Sequence, residues 1–221
     1  MRLLAIGFVV VFMSCHAVAN PIAIDGERRH AEMLSETVEI FVGADRSQVR
    51  GQFRFRQAAP FSKKHTHVTI FVPVLQPSDL SDKDYATRFG SPCVEASGGK
   101  YFAEPWNDIT PDGAPGGTAK LPKGWSERLC VCQVPLRALR ETFDVRVCYS
   151  QPHLPHGVSA YIPVRPPRDE RACTIRFSAD KGRTLRRPSF FSAWSRTQPV
   201  LEFTPKDRVL IQVKSIPVRK R

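Results

Sequence analysis

The chain lacks any apolar run long enough to cross a bilayer as a helix. Its longest, Leu3 to Met13, is about eleven residues, against the roughly 20 that a membrane span needs. Catalytic signatures are also missing. There is no Gly-x-Ser-x-Gly elbow, no Ser-x-x-Lys with partner motifs, no His-Glu-x-x-His and no phosphate-cradling glycine loop. These absences exclude motif-borne hydrolase and nucleotide chemistry. They leave open acid and base pairs drawn from distant positions, so a non-enzyme without cofactors is the expectation. Internal repeats are absent. Acidic residues are scarce, 21 against 33 lysines and arginines, for a formal net charge of +12.

What stands at the start of the chain points to export. Met1-Arg2 is a short basic opening, Leu3 to Met13 is almost wholly apolar, and Ala17-Val18-Ala19 has the small-x-small cleavage pattern. A signal peptide over residues 1–19, cut before Asn20, is expected, with a periplasmic or extracellular destination. Lipid anchoring at Cys15 is the lesser alternative, because Phe12-Met13-Ser14 fits a lipoprotein cleavage box poorly. Residues 20–221 then form one domain, large enough to bury a core. Arg2 is the only charged residue removed, so 32 basic minus 21 acidic side chains leave +11. Outside the cytoplasm that excess points to an anionic envelope polymer or lipid head groups rather than to nucleic acid.

Period-two alternation carries the fold class. In Val49 to Arg56 the odd positions are apolar or small and the even ones polar, as on a half-buried strand. Val38, Ile40 and Val42 share a face, as do Val68, Ile70, Val72 and Val74, and Phe143, Val145, Val147 and Tyr149. Further strand candidates are Arg128 to Val134, Val158 to Val164, Ala172 to Ser178, Val200 to Thr204 and Arg208 to Lys214. Eight to nine short strands imply an all-β protein, an antiparallel β-sandwich with short helical connectors. Those connectors are expected at Pro77 to Arg88, Pro135 to Glu141 and Ser189 to Arg196.

The alternation also places candidate binding groups. Arg50, Arg54 and Arg56 should project together from one strand and meet phosphate or carboxylate groups, with Lys214 and Arg219-Lys220-Arg221 as an extension of the track. His65 and His67, with Thr69 and Phe71, should point outward from the strand holding Val68 to Val74. Two exposed imidazoles suit zinc or copper, and His153 and His156 could add more. The short loop from Ala58 to Lys63 suggests that this strand pairs with the arginine strand. That arrangement would set cations beside the pair and disfavour a metal, so a metal-binding role stands third among the functions considered.

Five cysteines remain after residue 19: Cys93, Cys130, Cys132, Cys148 and Cys173. Export would tend to bridge some of them, with Cys93, Cys130, Cys132 and Cys148 as candidates. Cys130 and Cys132, two apart on a strand, are too far from each other to join. Cys148 reaches either one if their strands are neighbours. Cys173, on a face with Ile175 and Phe177, reads as a buried apolar filler.

The stretch Ser97 to Gly124 has linker composition and is long for a loop. It and its flank hold Tyr101, Trp106 and Trp125 beside Asp108 and Asp112, rings and acceptors suited to a sugar if they converge. A secreted glycan-binding or glycan-active protein is therefore the second function. Closure of one end of the sandwich by Trp106 and Trp125 is the packing alternative. The first function is a non-enzymatic exported protein that binds or supports an anionic envelope component.

Overall fold

The computed structural model describes residues 22–23, 31–57, 66–105, 121–135, 140–161, 173–186, 198–204 and 211–217. The signal peptide and Cys15, the connector from Ser189 to Arg196, most of the one from Pro135 to Glu141, and Arg219 to Arg221 lie outside them. So do His65, Trp106, Asp108 and Asp112.

The protein is all-β, as the alternation implies. A seven-stranded sheet contains, in chain order, β2 (Ala31–Val42), β3 (Arg46–Gln57), β5 (Cys93–Ala96), β6 (Gly99–Phe102), β9 (Thr142–Pro152), β11 (Cys173–Ala179) and β13 (Val200–Phe203). Their spatial order is β13-β11-β2-β3-β9-β5-β6. A second sheet, β1-β4-β8-β7, joins Ile22–Ala23, His67–Pro77, Trp125–Pro135 and Glu104–Pro105. A third, β10-β14-β12, joins Val158–Tyr161, Ile211–Pro217 and Arg183–Arg186.

One hydrophobic core unites the sheets. From the seven-stranded sheet it takes Val38, Ile40, Phe55, Val145 and Ile175; from the others it takes Val68, Ile70, Val134, Leu185 and Val213. Within β3 the alternation is complete, with Val49, Gly51, Phe53 and Phe55 buried and Arg50, Gln52, Arg54 and Arg56 exposed. Gly51 is required there because the Phe53 ring folds over it: a Cβ would stand 2.5 Å from Phe53 Cε2.

The structure corrects four expectations. β3 does not pair with β4; it lies between β2 and β9, and β4 pairs with β1 and β8 in a different sheet. A connection of about nine residues is long enough to cross between layers, so a short loop did not imply a hairpin. Thr69 and Phe71 are buried rather than outward, because β4 is covered on both faces. The sheets are not purely antiparallel, since β11 runs parallel to β2 from Cys173↔Glu36 to Ala179↔Val42. And the strands outnumber the eight or nine expected, because short ones such as β5, β6 and β7 carry too little alternation to be read alone.

Besides a single 3-10 turn at Pro155–Gly157, one α-helix appears among the described residues, α1 (Asp82–Phe89). It starts later than its proline signals suggested. Ser81 caps it, its Oγ accepting from the backbone N–H of Asp84 at 3.2 Å, and Asp82 and Asp84 sit favourably in the first turn. Arg128 of β8 forks onto Asp82 with two contacts of 2.6 Å, and the Tyr85 hydroxyl donates to Ser150 O at 3.0 Å. These contacts seat the helix against both sheets. No helix among the described residues is long and apolar enough to cross a membrane.

Candidate functional site

The outer face of the seven-stranded sheet carries the three arginines read from the sequence. Arg50, Arg54 and Arg56 do project together from β3, spaced by the strand's period of two. Their surroundings are not uniformly basic. Arg50 stands opposite Glu39 on one side and Cys148 on the other, and its guanidinium lies 5.2 Å from the centroid of the Phe41 ring. Arg54 Nε lies 4.0 Å from Asp144 Oδ1, with both side chains more than half exposed, so the pair contributes little to stability. Arg56 is opposite Thr142. The sheet thus shows mixed charge where a continuous positive track was expected.

Next to these arginines the face sinks into an open cleft of about 780 Å³. Its floor and walls come from the β5–β6 hairpin and the start of β9, with Lys100, Arg140 and Arg146 as its cations and Glu95 and Asp144 as its acids. The hairpin turn is Ser97-Gly98, with φ of 49° and 83°. Positive φ at both central positions is the geometry that matches the twist of paired strands in a two-residue loop. Register places Glu95 directly opposite Arg146 on one side and Lys100 on the other. Guanidinium groups so placed can fork onto a carboxylate or phosphate.

Lys100, Arg140 and Arg146 were missed by sequence reasoning. Arg146 was legible, since it alternates with Val145 and Val147. Lys100 was hidden by treating Ser97 to Gly124 as a loop, although CVEA and GKYF separated by Ser-Gly form a hairpin signal. The long-loop expectation is corrected to that extent: its first residues are β6 and β7.

The aromatic candidates divide. Tyr101 packs against the main core, and Trp125 begins β8 and packs against a small cluster of Leu75, Leu154 and Ala160. Both are only partly buried, each with one part of its ring against the core. Their proposed companions Trp106, Asp108 and Asp112 lie outside the described residues.

The histidines are not gathered. His67 is exposed on β4, its Nδ1 2.8 Å from Thr66 Oγ1. His153 follows β9 in the other layer, with Nε2 3.1 Å from Ser47 Oγ, and burial lowers its pKa. His156 is exposed in a tight turn with φ of 65°. Among the described residues no three His, Cys, Asp or Glu side chains are close enough to hold a metal ion. Because β4 is not beside β3, the arginines are also not the neighbours of His67 that the electrostatic argument assumed.

The five cysteines among the described residues are free thiols. Cys148 is on β9 and Cys130 and Cys132 are on β8, in separate sheets, so these strands are not the neighbours that the expected bridge between them required. Burial pushes the Cys130 and Cys132 thiols up to about 12, which leaves them unreactive at neutral pH. Cys173 is fully buried with Ile175 and Phe177, as its face implied. Its Sγ lies 3.3 Å from Glu36 Oε2, and burial followed by that carboxylate raises its pKa.

No protein-family model matches the chain, and no curated protein matches its sequence. Solved structures with some likeness include leukotriene A4 hydrolase from Saccharomyces cerevisiae, at 8% identity and a TM-score of 0.39, covering 84% of this chain and 29% of that one. Another is an M1 zinc metallopeptidase from Deinococcus radiodurans, at 10% identity and a TM-score of 0.34, covering 86% and 39%. This chain spans well under half the length of either.

Proposed function

We propose that the protein is an exported, non-enzymatic β-protein that holds an anionic component of the cell envelope on the outer face of its seven-stranded sheet. The observation that carries this reading is the convergence of Lys100, Arg140 and Arg146 on one open cleft, beside the arginines of β3. Phosphate or carboxylate groups repeated along a polymer, or clustered at a lipid surface, would meet the cleft first and then Arg54 and Arg56. Glu95 and Asp144 temper the field. The site therefore favours an extended anion that reaches several cations over a single small ion.

Cosedimentation with vesicles containing an acidic phospholipid, and retention on an immobilised polyphosphate, test the proposal. Binding should fall steeply once ionic strength passes about 0.15 M, where the screening length is about 8 Å. Arg140→Gln with Arg146→Gln should weaken it more than Arg50→Gln, because Arg50 has Glu39 opposite and Phe41 beneath it. Binding by the double variant equal to that of the parent would refute the cleft as the site.

A further inference from the structure

Outside the cleft, one arrangement on the same face has a chemistry of its own. Cys93 of β5 and Cys148 of β9 are register partners on adjacent antiparallel strands. Directly opposed residues share a face, and here it is the outer one: Cys148 is exposed and Cys93 half-exposed, while their neighbours Val94 and Val147 point into the core. The two thiols therefore stand side by side above the sheet, with Phe102 beyond Cys93 at the sheet edge and Arg50 beyond Cys148.

Backbone parity fixes their spacing. Ala103 N donates to Pro92 O at 2.8 Å, so Pro92 and Ala103 face each other as a hydrogen-bonded pair. One step along, Cys93 and Phe102 must be the non-bonded pair, and the N–H and C=O of Cys93 point the other way, toward β9. Cys93 and Cys148 are thus a hydrogen-bonded pair, for which Cα atoms stand about 5.5 Å apart. The Cα separation lies inside the range of about 4.4–6.8 Å that a disulfide spans, but the Cβ atoms of such a pair stand toward about 5.5 Å against the usual range of about 3.5–4.5 Å. Closure therefore needs a local shift of the two strands and leaves a strained, readily reduced bond.

We propose that Cys93 and Cys148 are a dithiol site that closes into a cross-strand disulfide by exchange with an external low-molecular-weight disulfide. Cys148, the more exposed, attacks first as its thiolate; one external thiol leaves and a mixed disulfide forms. The Cys93 thiolate then attacks Cys148 Sγ, expelling the second external thiol. Two protein thiols lose two protons and two electrons, one S–S bond forms in the protein, and the external S–S bond is reduced to two thiols. Burial, the largest effect, raises the Cys93 pKa, with Lys100 opposing it and Glu95 and Cys148 adding to it. Cys93 is accordingly suited to resolve the mixed disulfide rather than to begin the reaction.

Competing thiols are held back by burial, although Cys132 is near enough to Cys93 for the two to interact electrostatically. Cys130 and Cys132 are buried with strongly raised pKa values and Cys173 is sealed against Glu36, so bridge formation should leave three of the five thiols in reduced form. The bridge would join the β5–β6 hairpin covalently to the middle of the sheet and hold one wall of the cleft in place. It depends on strand register and not on what the cleft binds.

The test is to expose the full chain to oxidised glutathione, trap free thiols by alkylation at low pH, and map peptides by mass. The expected result is a chain lighter by two hydrogens, with a single cross-linked peptide pair containing Cys93 and Cys148, and with Cys130, Cys132 and Cys173 alkylated after unfolding. In Cys93→Ser the reaction should stop at a stable glutathione adduct on Cys148. A stable adduct on Cys148 in the parent protein, or a bridge from Cys148 to Cys130 or Cys132, would overturn the proposal. Salt-sensitive binding to polyphosphate, measured on the same oxidised and reduced samples, reports separately on the cleft.

Discussion

The hydroxyl of Tyr161 donates to Oε1 of Glu36 at 3.2 Å, in the interior of the protein. Glu36 is fully buried, and its inward direction comes from a register shift in β2 between Met33 and Ser35. The extra residue of such a bulge moves the following side chains to the opposite face. Burial, followed by the nearby carboxylate, raises the Tyr161 pKa well above its ordinary value, so the hydroxyl stays protonated and able to donate. Cys173 donates to the other carboxylate oxygen. A buried acid of this kind is tolerated only where donors reach it.

Tyr161→Phe removes a donor and leaves the ring in place. It should lower stability by about 1–3 kcal/mol, the range for depriving a buried polar group of a partner. Urea unfolding at neutral pH measures it, and an unchanged midpoint would show that the contact contributes nothing.

Gly51→Ala should destabilise the protein although alanine is no worse than glycine in a strand. The new Cβ meets the buried Phe53 ring at 2.5 Å and 2.8 Å, so ring or strand must shift at a cost of about 1–3 kcal/mol. Adding Phe53→Leu should recover part of the loss. If Gly51→Ala melts at or above the parent temperature, the ring does not constrain this position.

Lowering pH should weaken the fold through His153. Its folded pKa lies below the usual value near 6.5, with burial as the main cause and Asp45 opposing it. The unfolded chain therefore takes up the proton first as pH falls, and stability drops below about pH 6.5 until the folded pKa is passed. His153→Gln lacks this titration, so its midpoint should fall less than the parent's between about pH 7.5 and about pH 5.5. Parallel losses in the two proteins would remove His153 as a cause.

Ser81→Ala should cost about 1 kcal/mol by removing the acceptor for the Asp84 N–H at the start of α1. Because α1 places Tyr85 and Asp82 against both sheets, the loss should appear in global unfolding as well as in amide exchange of the first helical turn. Faster exchange with no shift in the midpoint would mean that the helix frays independently of the core.

The strands that carry the core were legible in the sequence because burial of one face imposes a period of two. Val38, Ile40 and Val42, then Val49, Gly51, Phe53 and Phe55 of β3, and Val145 with Val147 could be assigned inward from spacing alone, and the arginines of β3 outward. The burial of Cys173 followed from the same parity, though not its contact with Glu36. Local chemistry also contained the Ser-Gly hairpin that presents Lys100, though its strands are too short to stand out.

Which strand lies beside which was decided only by the tertiary structure. Alternation records that a face is buried and not what buries it, so the sequence could not show that β3 and β4 belong to different sheets, that β11 runs parallel to β2, or that β4 is covered on both faces. Those pairings join positions far apart in the chain, and their register rests on the summed packing of all the inner faces at once. The same non-local register sets Cys93 opposite Cys148, gathers Lys100, Arg140 and Arg146 around one cleft, and turns Glu36 inward to meet Tyr161.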